Sequence, residues 1–312
     1  MASAGPRIPD PCPGSRIRPG AGIASAPMSD GYTCFDTDVC NGVATVTMCR
    51  GDQLNTMTPA FWNELPVLIR ELDASGAARV VVLASTGRHF SAGMDLAVFG
   101  GGAGRGSDGA EVGRLRANLR SNVLHLQDTF TAIERARMPV LAAIQGGCIG
   151  GAVDMVTACD MRYASEDAFF CIQEINIGMT ADVGTLQRLP KLIPEGVCRE
   201  LAYTGRRMPA SEAKAAGLVN EVFPDHDSLL AGVQAVAAEI ASKSPLAVWG
   251  SKEMITYSRD HSTADSLDHI ATWQAGMFQP TDMVEAFEAL AEKRPAGFDD
   301  LLPFHGGLGD GV

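Results

Sequence analysis

Two runs of consecutive apolar residues limit what this chain can fold into. Residues 80–84 read Val-Val-Val-Leu-Ala, and Val140–Ile144 reads Val-Leu-Ala-Ala-Ile. Continuous apolar runs of this length are typical of strands that are buried on both faces of a parallel sheet. Val43–Met48, in which β-branched residues alternate along the chain, predicts a third strand.

Helical patterns separate these strands. Thr58 is a suitable N-cap and Pro59 suits the first helical position, which predicts a helix to about Leu72. A longer helix is expected over residues 112–137. Strands that alternate with helices predict an α/β fold with mostly parallel pairing. Further helices are expected at Glu195–Thr204, Ala210–Ala216, 228–242, 246–257, 264–278 and 282–293.

The composition argues against several classes of protein. A formal net charge of −12 disfavours nucleic acid as a partner, because phosphate binding needs a basic surface. The eight cysteines form no C-x-x-C pair and no Cys/His cluster at zinc spacing, so no metal site is predicted. No run of about 18 apolar residues indicates a membrane span.

Two segments differ from the rest of the chain. Residues 1–29 are rich in Gly, Pro, Ala and Ser, and their prolines oppose a helix, so a disordered N-terminal extension is expected. Residues 100–109 are glycine-rich, and 104–109 spells G-x-G-x-x-G. No clear buried strand precedes this motif, which favours a flexible loop beside a ligand over a dinucleotide site.

Three acids stand in apolar, glycine-punctuated stretches. They are Asp154, Glu174 and Asp182. Carboxylates are rarely buried unless they are paired or used in chemistry, and two acids with different pKa values can transfer a proton between atoms. The structural alternative is a helix cap or an ion-pair partner, which is the interpretation we prefer for Asp95 and Asp160.

Gly150 and Gly151 follow a predicted buried strand and begin a predicted helix over 150–158. The amides at a helix start lack internal partners and favour negative charge, so they can form half of an oxyanion hole. The amide of Met94, in a similar small-residue loop, is a candidate for the other half. Tight helix–sheet packing is the alternative reason for the glycines. Ser91 lacks the glycine two residues earlier that a nucleophile elbow needs, since His89 stands there.

Several separated motifs together resemble one known family. Residues 90–96, 146–160 and 187–190 are similar to the crotonase (enoyl-CoA hydratase/isomerase) superfamily, and in particular to its dienoyl-CoA isomerase branch. The resemblance runs from about Tyr32 to Lys293. It implies a crotonase-like α/β fold of repeated ββα units, with a core containing the active site at 30–225 and a helical C-terminal trimerisation region at 226–312.

The resemblance also implies roles for individual residues. The backbone N–H groups of Met94 and Gly151 correspond to those that hold the thioester oxygen. Asp154 and Glu174 match the two carboxylates of the hydratases, which usually have a small residue where this chain has Asp182. The dienoyl-CoA isomerases carry three acids at these places, and residues 181–190 are similar to theirs.

Other positions are less regular. Ala152 replaces a glycine of the branch, and Met179 and Thr180 depart from its pattern before Ala181. Both departures affect the expected acyl pocket only slightly. Lys293 lies in a region that the family uses near the coenzyme A phosphates.

The implied activity is conversion of 3,5-dienoyl-CoA to 2,4-dienoyl-CoA. Glu174 is predicted to be the base near C2, Asp182 the acid at the far end, and Asp154 the residue that tunes them. The expected partner is an acyl-CoA thioester, with no cofactor beyond the coenzyme A of the substrate and a homotrimer or dimer of trimers as the assembly. The alternatives are an enoyl-CoA hydratase that uses Glu174 and Asp154, and a catalytically idle acyl-CoA-binding or scaffold protein.

The C-terminus bears on the expected location. The chain ends Gly-Asp-Gly-Val and lacks the Ser-Lys-Leu end of a simple peroxisomal address. A cytoplasmic location is therefore expected.

Overall fold

The computed structural model describes residues 31–95, 97–100, 111–278 and 280–304. The strands are β1 (Phe35–Cys40), β2 (Val43–Met48), β3 (Val80–Ser85), β4 (Val140–Ile144), β5 (Gly147–Ile149), β6 (Met161–Ser165), β7 (Phe169–Cys171), β8 (Met208–Pro209) and β9 (Glu221–Phe223). The helices are α1 (Pro59–Ser75), α2 (Ala97–Gly100), α3 (Val112–Arg135), α4 (Gly151–Ala158), α5 (Thr185–Arg188), α6 (Glu195–Thr204), α7 (Ala210–Ala216), α8 (His226–Ala241), α9 (Pro245–Ser258), α10 (Thr263–Met277) and α11 (Pro280–Glu292).

The main sheet has six strands in the order β1-β2-β3-β4-β6-β9. β1 and β2 form an antiparallel hairpin, and every following pair is parallel. All residues of β3 and β4 are buried, as their continuous apolar sequences predict. The three predicted strands, β2, β3 and β4, and the mostly parallel pairing are thus confirmed. β1 and the five strands from β5 to β9 were not predicted from the sequence.

Helix α1 begins where the sequence indicates. The Thr58 side chain accepts a hydrogen bond from the amide of Phe61 at 3.5 Å, and Pro59 occupies the first helical position. Phe61, Leu65 and Leu68 lie on its buried face, and the helix ends at Gly76, whose φ of 70° suits glycine. The predicted helices after residue 194 are likewise present.

Helices cover both faces of the main sheet. Val81 and Leu83 of β3 belong to a core shared with α1 and α4, while Val80 and Val82 point to the other face. On that face lie the apolar residues of α8, which include Leu229 and Val233. Helix α8, the first helix after residue 225, therefore packs on the sheet. The division into a core at 30–225 and a helical region at 226–312 stays a prediction.

A small second sheet, β5-β7-β8, lies at the end of the main one. β5 pairs in parallel with β7, and Ser91 forms an isolated bridge with Cys148 of β5. A second bridge joins Met57 to Met94. These pairings bring the 91–94 loop beside the start of α4, although the two segments are more than 50 residues apart in sequence.

Helices α10 and α11 expose large apolar side chains to solvent. Leu267 of α10 is 64% exposed, and Phe287 and Leu290 of α11 are 63% and 76% exposed. Across the described ranges, no helix combines the length and the apolar character that crossing a membrane requires. The predicted N-terminal extension and residues 101–109 of the glycine-rich loop lie outside the described residues.

Candidate active site

The start of α4 exposes backbone to a neighbouring carboxylate. Gly150 precedes the helix with φ 55°, a conformation that favours glycine, and its amide donates to the carbonyl of Cys171 at 2.9 Å. A Cβ placed on Gly150 would lie 3.2 Å from Oε1 of Glu174. The absence of a side chain at Gly150 therefore lets the Glu174 carboxylate approach the first turn of α4.

The Met94 loop meets the same helix start. Met57 donates its amide to the carbonyl of Gly93 at 2.8 Å and accepts from the amide of Asp95 at 3.1 Å. In a parallel bridge of this kind, the N–H of the intervening Met94 points away from Met57. A Cβ on Gly93 would lie 3.4 Å from the nitrogen of Gly151, so the two loops are in close contact.

Asp154 lies in the first turn of α4 and is fully buried. Its Oδ1 accepts the backbone N–H of Thr185 at 2.6 Å, while Oδ2 has no hydrogen-bond partner among the described residues. The pKa of this carboxyl is raised to about 6, mainly by burial and to a lesser extent by the charge of Asp182, while the hydrogen bonds from Thr185 lower it. Asp154 can thus hold a proton close to neutral pH.

Glu174 lies on a short 3₁₀ helix, Gln173–Ile177, that follows β7. Its side chain is half-buried. Burial is the main cause that raises its pKa to about 7, and the charges of Asp154 and Asp182 raise it as well. Near neutral pH, this carboxyl can therefore either accept or release a proton.

Asp182 is the most exposed of the three acids. Partial burial raises the pKa of its carboxyl. Its backbone carbonyl accepts a hydrogen bond from Nε2 of Gln127 on α3 at 2.7 Å. Glu174 lies against Gly150 at the start of α4, and Asp154 of that helix accepts the amide of Thr185, three residues after Asp182. The structure therefore brings the segments of all three predicted acids together, and the charge of Asp182 raises the pKa of the other two.

The other apolar-flanked acids have structural partners, as predicted. Asp160 accepts the amide of Val140 at 2.7 Å and pairs with Nζ of Lys252 at 2.9 Å. Asp95 accepts from the hydroxyl of Thr56 at 3.2 Å and from the amide of Ala97 at 2.9 Å. Both carboxylates are therefore occupied in holding neighbouring segments together.

His89 and Lys293 lie apart from the three acids in the sequence and have different surroundings. Nδ1 of His89 accepts the amide of Gly147 at 2.8 Å, so the ring braces the turn that leads to β5. Lys293 follows α11, is exposed and has a left-handed φ of 56°. Its contact with coenzyme A stays a prediction.

Sequence patterns did not identify all the residues around the acids. Thr185, which hydrogen-bonds Asp154, and Gln127, which holds the backbone of Asp182, come from distant parts of the chain. The Gly184-Thr185 pair at the start of α5 is a signal that could have identified Thr185, because the first amides of a helix lack partners within it. We find no local signal for Gln127, because its contact depends on how α3 packs.

Known proteins of one family are similar to this chain along most of its length. Residues 38–301 match the family model described as enoyl-CoA hydratase/isomerase. The chain is 42% identical over 281 residues to the Homo sapiens protein named mitochondrial Delta(3,5)-Delta(2,4)-dienoyl-CoA isomerase, covering 88% of this chain and 84% of that protein. It is 43% identical over 252 residues to the Arabidopsis thaliana protein named peroxisomal Delta(3,5)-Delta(2,4)-dienoyl-CoA isomerase, covering 81% and 91%. A crystal structure of an enoyl-CoA hydratase from Bacillus anthracis has a TM-score of 0.76 at 31% identity, covering 85% of this chain and 99% of that one.

The expected cytoplasmic location is wrong. The similar proteins of Homo sapiens and Arabidopsis thaliana are named as mitochondrial and peroxisomal. The expectation relied on the lack of one C-terminal tripeptide. That tripeptide is only one of several receptor-read addresses, so its absence does not indicate the cytoplasm.

Proposed function

The chain belongs to the enoyl-CoA hydratase/isomerase family, and we propose that it converts 3,5-dienoyl-CoA thioesters to 2,4-dienoyl-CoA thioesters. The predicted crotonase-like α/β fold is confirmed by the similar solved structures. The observation that carries the proposed activity is the third acid, Asp182, which interacts electrostatically with Asp154 and Glu174. The names of the relatives at 42% and 43% identity support the same reaction.

The amides of Met94 and Gly151 are proposed to hold the thioester oxygen. Gly151 is the first residue of a helix, so its amide has no partner within the helix, and the helix dipole favours negative charge at that point. The close contact of Gly93 with Gly151 supports a shared position for the two donors. Each such donor stabilises a developing oxyanion by about 3–4 kcal/mol in comparable sites.

Proton transfer is assigned to the acids. Glu174 removes a proton from C2 of the 3,5-dienoyl chain, and the resulting charge spreads over the oxygen, C4 and C6. Asp182 then gives a proton to C6, which leaves double bonds at C2 and C4 and an unchanged thioester. Glu174 ends protonated and Asp182 ionised, so exchange with water or between the two acids restores the starting state. A pKa of about 7 leaves part of Glu174 ionised at neutral pH, as a base requires.

Hydration of a 2-enoyl-CoA is the second candidate, because Glu174 and Asp154 match the carboxylates of hydratases. Asp182 distinguishes the two reactions. If isomerisation is the activity, Asp182→Gly abolishes it while hydration is retained or created. If Asp182→Gly isomerises at the wild-type rate, the assigned role of Asp182 is wrong.

An absorbance assay with two substrates tests the proposed function. Purified protein mixed with 3,5-dienoyl-CoA is expected to increase the absorbance of a diene conjugated to the thioester. With 2-enoyl-CoA, a hydratase would decrease the absorbance instead. No change with either substrate would indicate an idle acyl-CoA-binding or scaffold protein, and the proposal would fail.

A homotrimer or dimer of trimers is the proposed assembly. The large exposed apolar residues of α10 and α11 support it, because single chains rarely leave such side chains in water without a partner. Phe287→Asp combined with Leu290→Asp is expected to give monomers by light scattering, with the wild type as reference. A wild-type monomer would contradict the assembly.

Lys293 is the proposed contact for the coenzyme A phosphates. Its exposed ammonium, next to the end of α11, can reach an anion without losing a buried ion pair. Lys293→Ala is expected to raise KM and leave kcat unchanged, since a phosphate contact is made equally in the ground and transition states. An unchanged KM would remove Lys293 from the site.

A further inference from the structure

A polar cavity lies on the far side of the segment that carries Asp182. Its volume is about 450 Å³, and Val183 and Gly184 form part of its wall. Arg188 also lines it, with a side chain that is only 14% exposed. The described side chains that line this cavity include neither Asp154 nor Glu174, so it is separate from the acid cluster.

The guanidinium of Arg188 contacts the backbone of Gly184. A Cβ on Gly184 would lie 1.9 Å from Nη1 of Arg188, and the φ of Gly184 is 138°. Only glycine combines that φ with space for the guanidinium. Gly184 stands between Asp182 and Thr185, so Arg188 supports the segment that presents both residues to the site.

Arg188 also forms an ion pair, which fixes its position. Its Nη2 donates to Oε2 of Glu134 on α3 at 3.2 Å and to the hydroxyl of Thr131 at 3.3 Å. The other oxygen of Glu134 accepts from Nη1 of Arg259 at 2.7 Å. One carboxylate thus holds two guanidinium groups, and the cluster keeps a net positive charge. Partly buried charges of this kind are screened less than surface ones.

The positive charge acts on the acid cluster. Thr185, next to Gly184, donates its amide to Asp154 at 2.6 Å. Arg188 lowers the pKa of Asp154, against the larger effect of burial and against the charge of Asp182. The other groups that face Asp154 are Glu174 and the buried thiol of Cys148.

We propose that Arg188 is a positioning residue of the isomerisation site, which holds the 182–185 segment through Gly184 and presents a positive charge to the acid cluster from behind. The inference rests on the proposed function for its kinetic consequence only. The geometric contacts and the charge exist whatever reaction the site performs.

The test compares three variants. Arg188→Met removes the charge and keeps much of the volume, while Arg188→Lys keeps the charge without the planar fork. Lys191→Met is the matched control, because Lys191 lines the same cavity and pairs with Asp260 without contacting Gly184. The first readout is the titration of Asp154, followed by the ¹³C shift of its carboxyl and assigned with Asp154→Asn.

In Arg188→Met, the titration midpoint of Asp154 is expected to rise, by less than the roughly one pH unit that a directly adjacent opposite charge gives, because Arg188 is the smallest of the influences on that carboxyl. Arg188→Lys is expected to restore most of that change, and Lys191→Met to show none. An unchanged midpoint in folded Arg188→Met overturns the proposal. If Arg188→Met does not fold, Gly184→Ala, which displaces the guanidinium, must raise the midpoint instead, and an unchanged midpoint there overturns the proposal equally.

The second readout is isomerisation of 3,5-dienoyl-CoA. Arg188→Met is expected to lower kcat by about 10- to 100-fold with little change in KM, as for a catalytic group displaced by about 1 Å. A wild-type protein without isomerase activity would refute the proposed function but leave the Asp154 titration to decide on Arg188. An active wild type with an unchanged kcat and pH profile in Arg188→Met would refute the positioning role alone.

Discussion

The two ends of helix α4 place similar side chains in opposite situations. Asp154 stands in the first turn with one carboxylate oxygen that no described residue hydrogen-bonds, and its pKa rises to about 6. Asp160, two residues beyond the helix, accepts the amide of Val140 and pairs with the buried ammonium of Lys252. Lys252 in turn donates to the carbonyls of Ile133 and Met138 at 3.1 and 3.0 Å.

The contrast shows that burial and partners together decide what a carboxylate does, since Asp154 is fully buried and Asp160 only partly. A carboxylate with a cation and a backbone donor, such as Asp160, ties neighbouring elements together. Among the described residues no cation pairs directly with Asp154, so its fully buried carboxylate is poorly solvated when charged and keeps a proton at higher pH. The same helix therefore lies between a proposed catalytic carboxyl at one end and a structural ion pair at the other.

The largest expected effect follows from removing the acids of the cluster. Glu174→Gln and Asp182→Asn are each expected to lower kcat by about 10²–10⁴, the usual contribution of a general acid or base. Labelling in deuterated water resolves their roles: Glu174→Gln stops exchange at C2, and Asp182→Asn stops label entry at C6. Glu195→Gln, which alters a surface carboxylate of α6, is the control. Normal exchange at both carbons in both variants would contradict the assignment.

Removing the Asp160–Lys252 ion pair, beyond the C-terminal end of α4, is expected to lower the free energy of unfolding. Asp160→Asn leaves the Lys252 ammonium without its carboxylate, which costs about 3–5 kcal/mol where a buried pair is broken. Urea unfolding at pH 7 measures the change, and kcat per folded molecule should stay at the wild-type value. A large loss of kcat with unchanged stability would place Asp160 in the chemistry and remove the contrast.

A third prediction concerns the pH dependence of stability. The folded protein keeps the Asp154 proton up to about pH 6, whereas the unfolded chain loses it near its ordinary value of 3.8. The free energy of unfolding therefore falls as the pH rises between these values, by about 3 kcal/mol from this group. Asp154→Asn should lack this decrease in urea unfolding at pH 4 to 7, at equal protein concentration. Parallel curves for the two proteins would mean that Asp154 is solvated or paired.

The smallest expected effect is in the pH–rate profile. If Glu174 is the base, its ionisation makes kcat/KM rise with pH and reach about half of its plateau near pH 7, over the range in which Asp182 keeps the proton that it donates. Between pH 7 and the plateau, the expected change is only about twofold. Initial rates from pH 5.5 to 8.5 measure the profile. A flat profile from pH 6 to 8 would exclude Glu174 as a base with this pKa.

Much of the fold was accessible from the sequence where one local pattern sufficed. The apolar run of β4 and the Thr58-Pro59 start of α1 could be predicted from local sequence. Burial on both faces and N-capping depend on only a few adjacent residues. The two- and three-residue strands β5, β7, β8 and β9 were missed, since such short segments pair through tertiary position rather than propensity. The apolar, glycine-punctuated surroundings of Asp182 identified it as a candidate, and the family resemblance implied its role as the acid.

The sequence by itself determined the buried strands, the main helices and the presence of three acids beside glycine-rich turns. Only the tertiary structure decided that the loop at Met94 meets the start of α4 and that Arg188 lies behind Gly184. It also decided that Asp160 pairs with a lysine, while Oδ2 of Asp154 has no hydrogen-bond partner in the part of the chain that the structure describes. The physical reason is range. Hydrophobic pattern and capping act within a few residues, whereas solvation and the partners of a charge depend on groups that the folded chain brings together from distant positions.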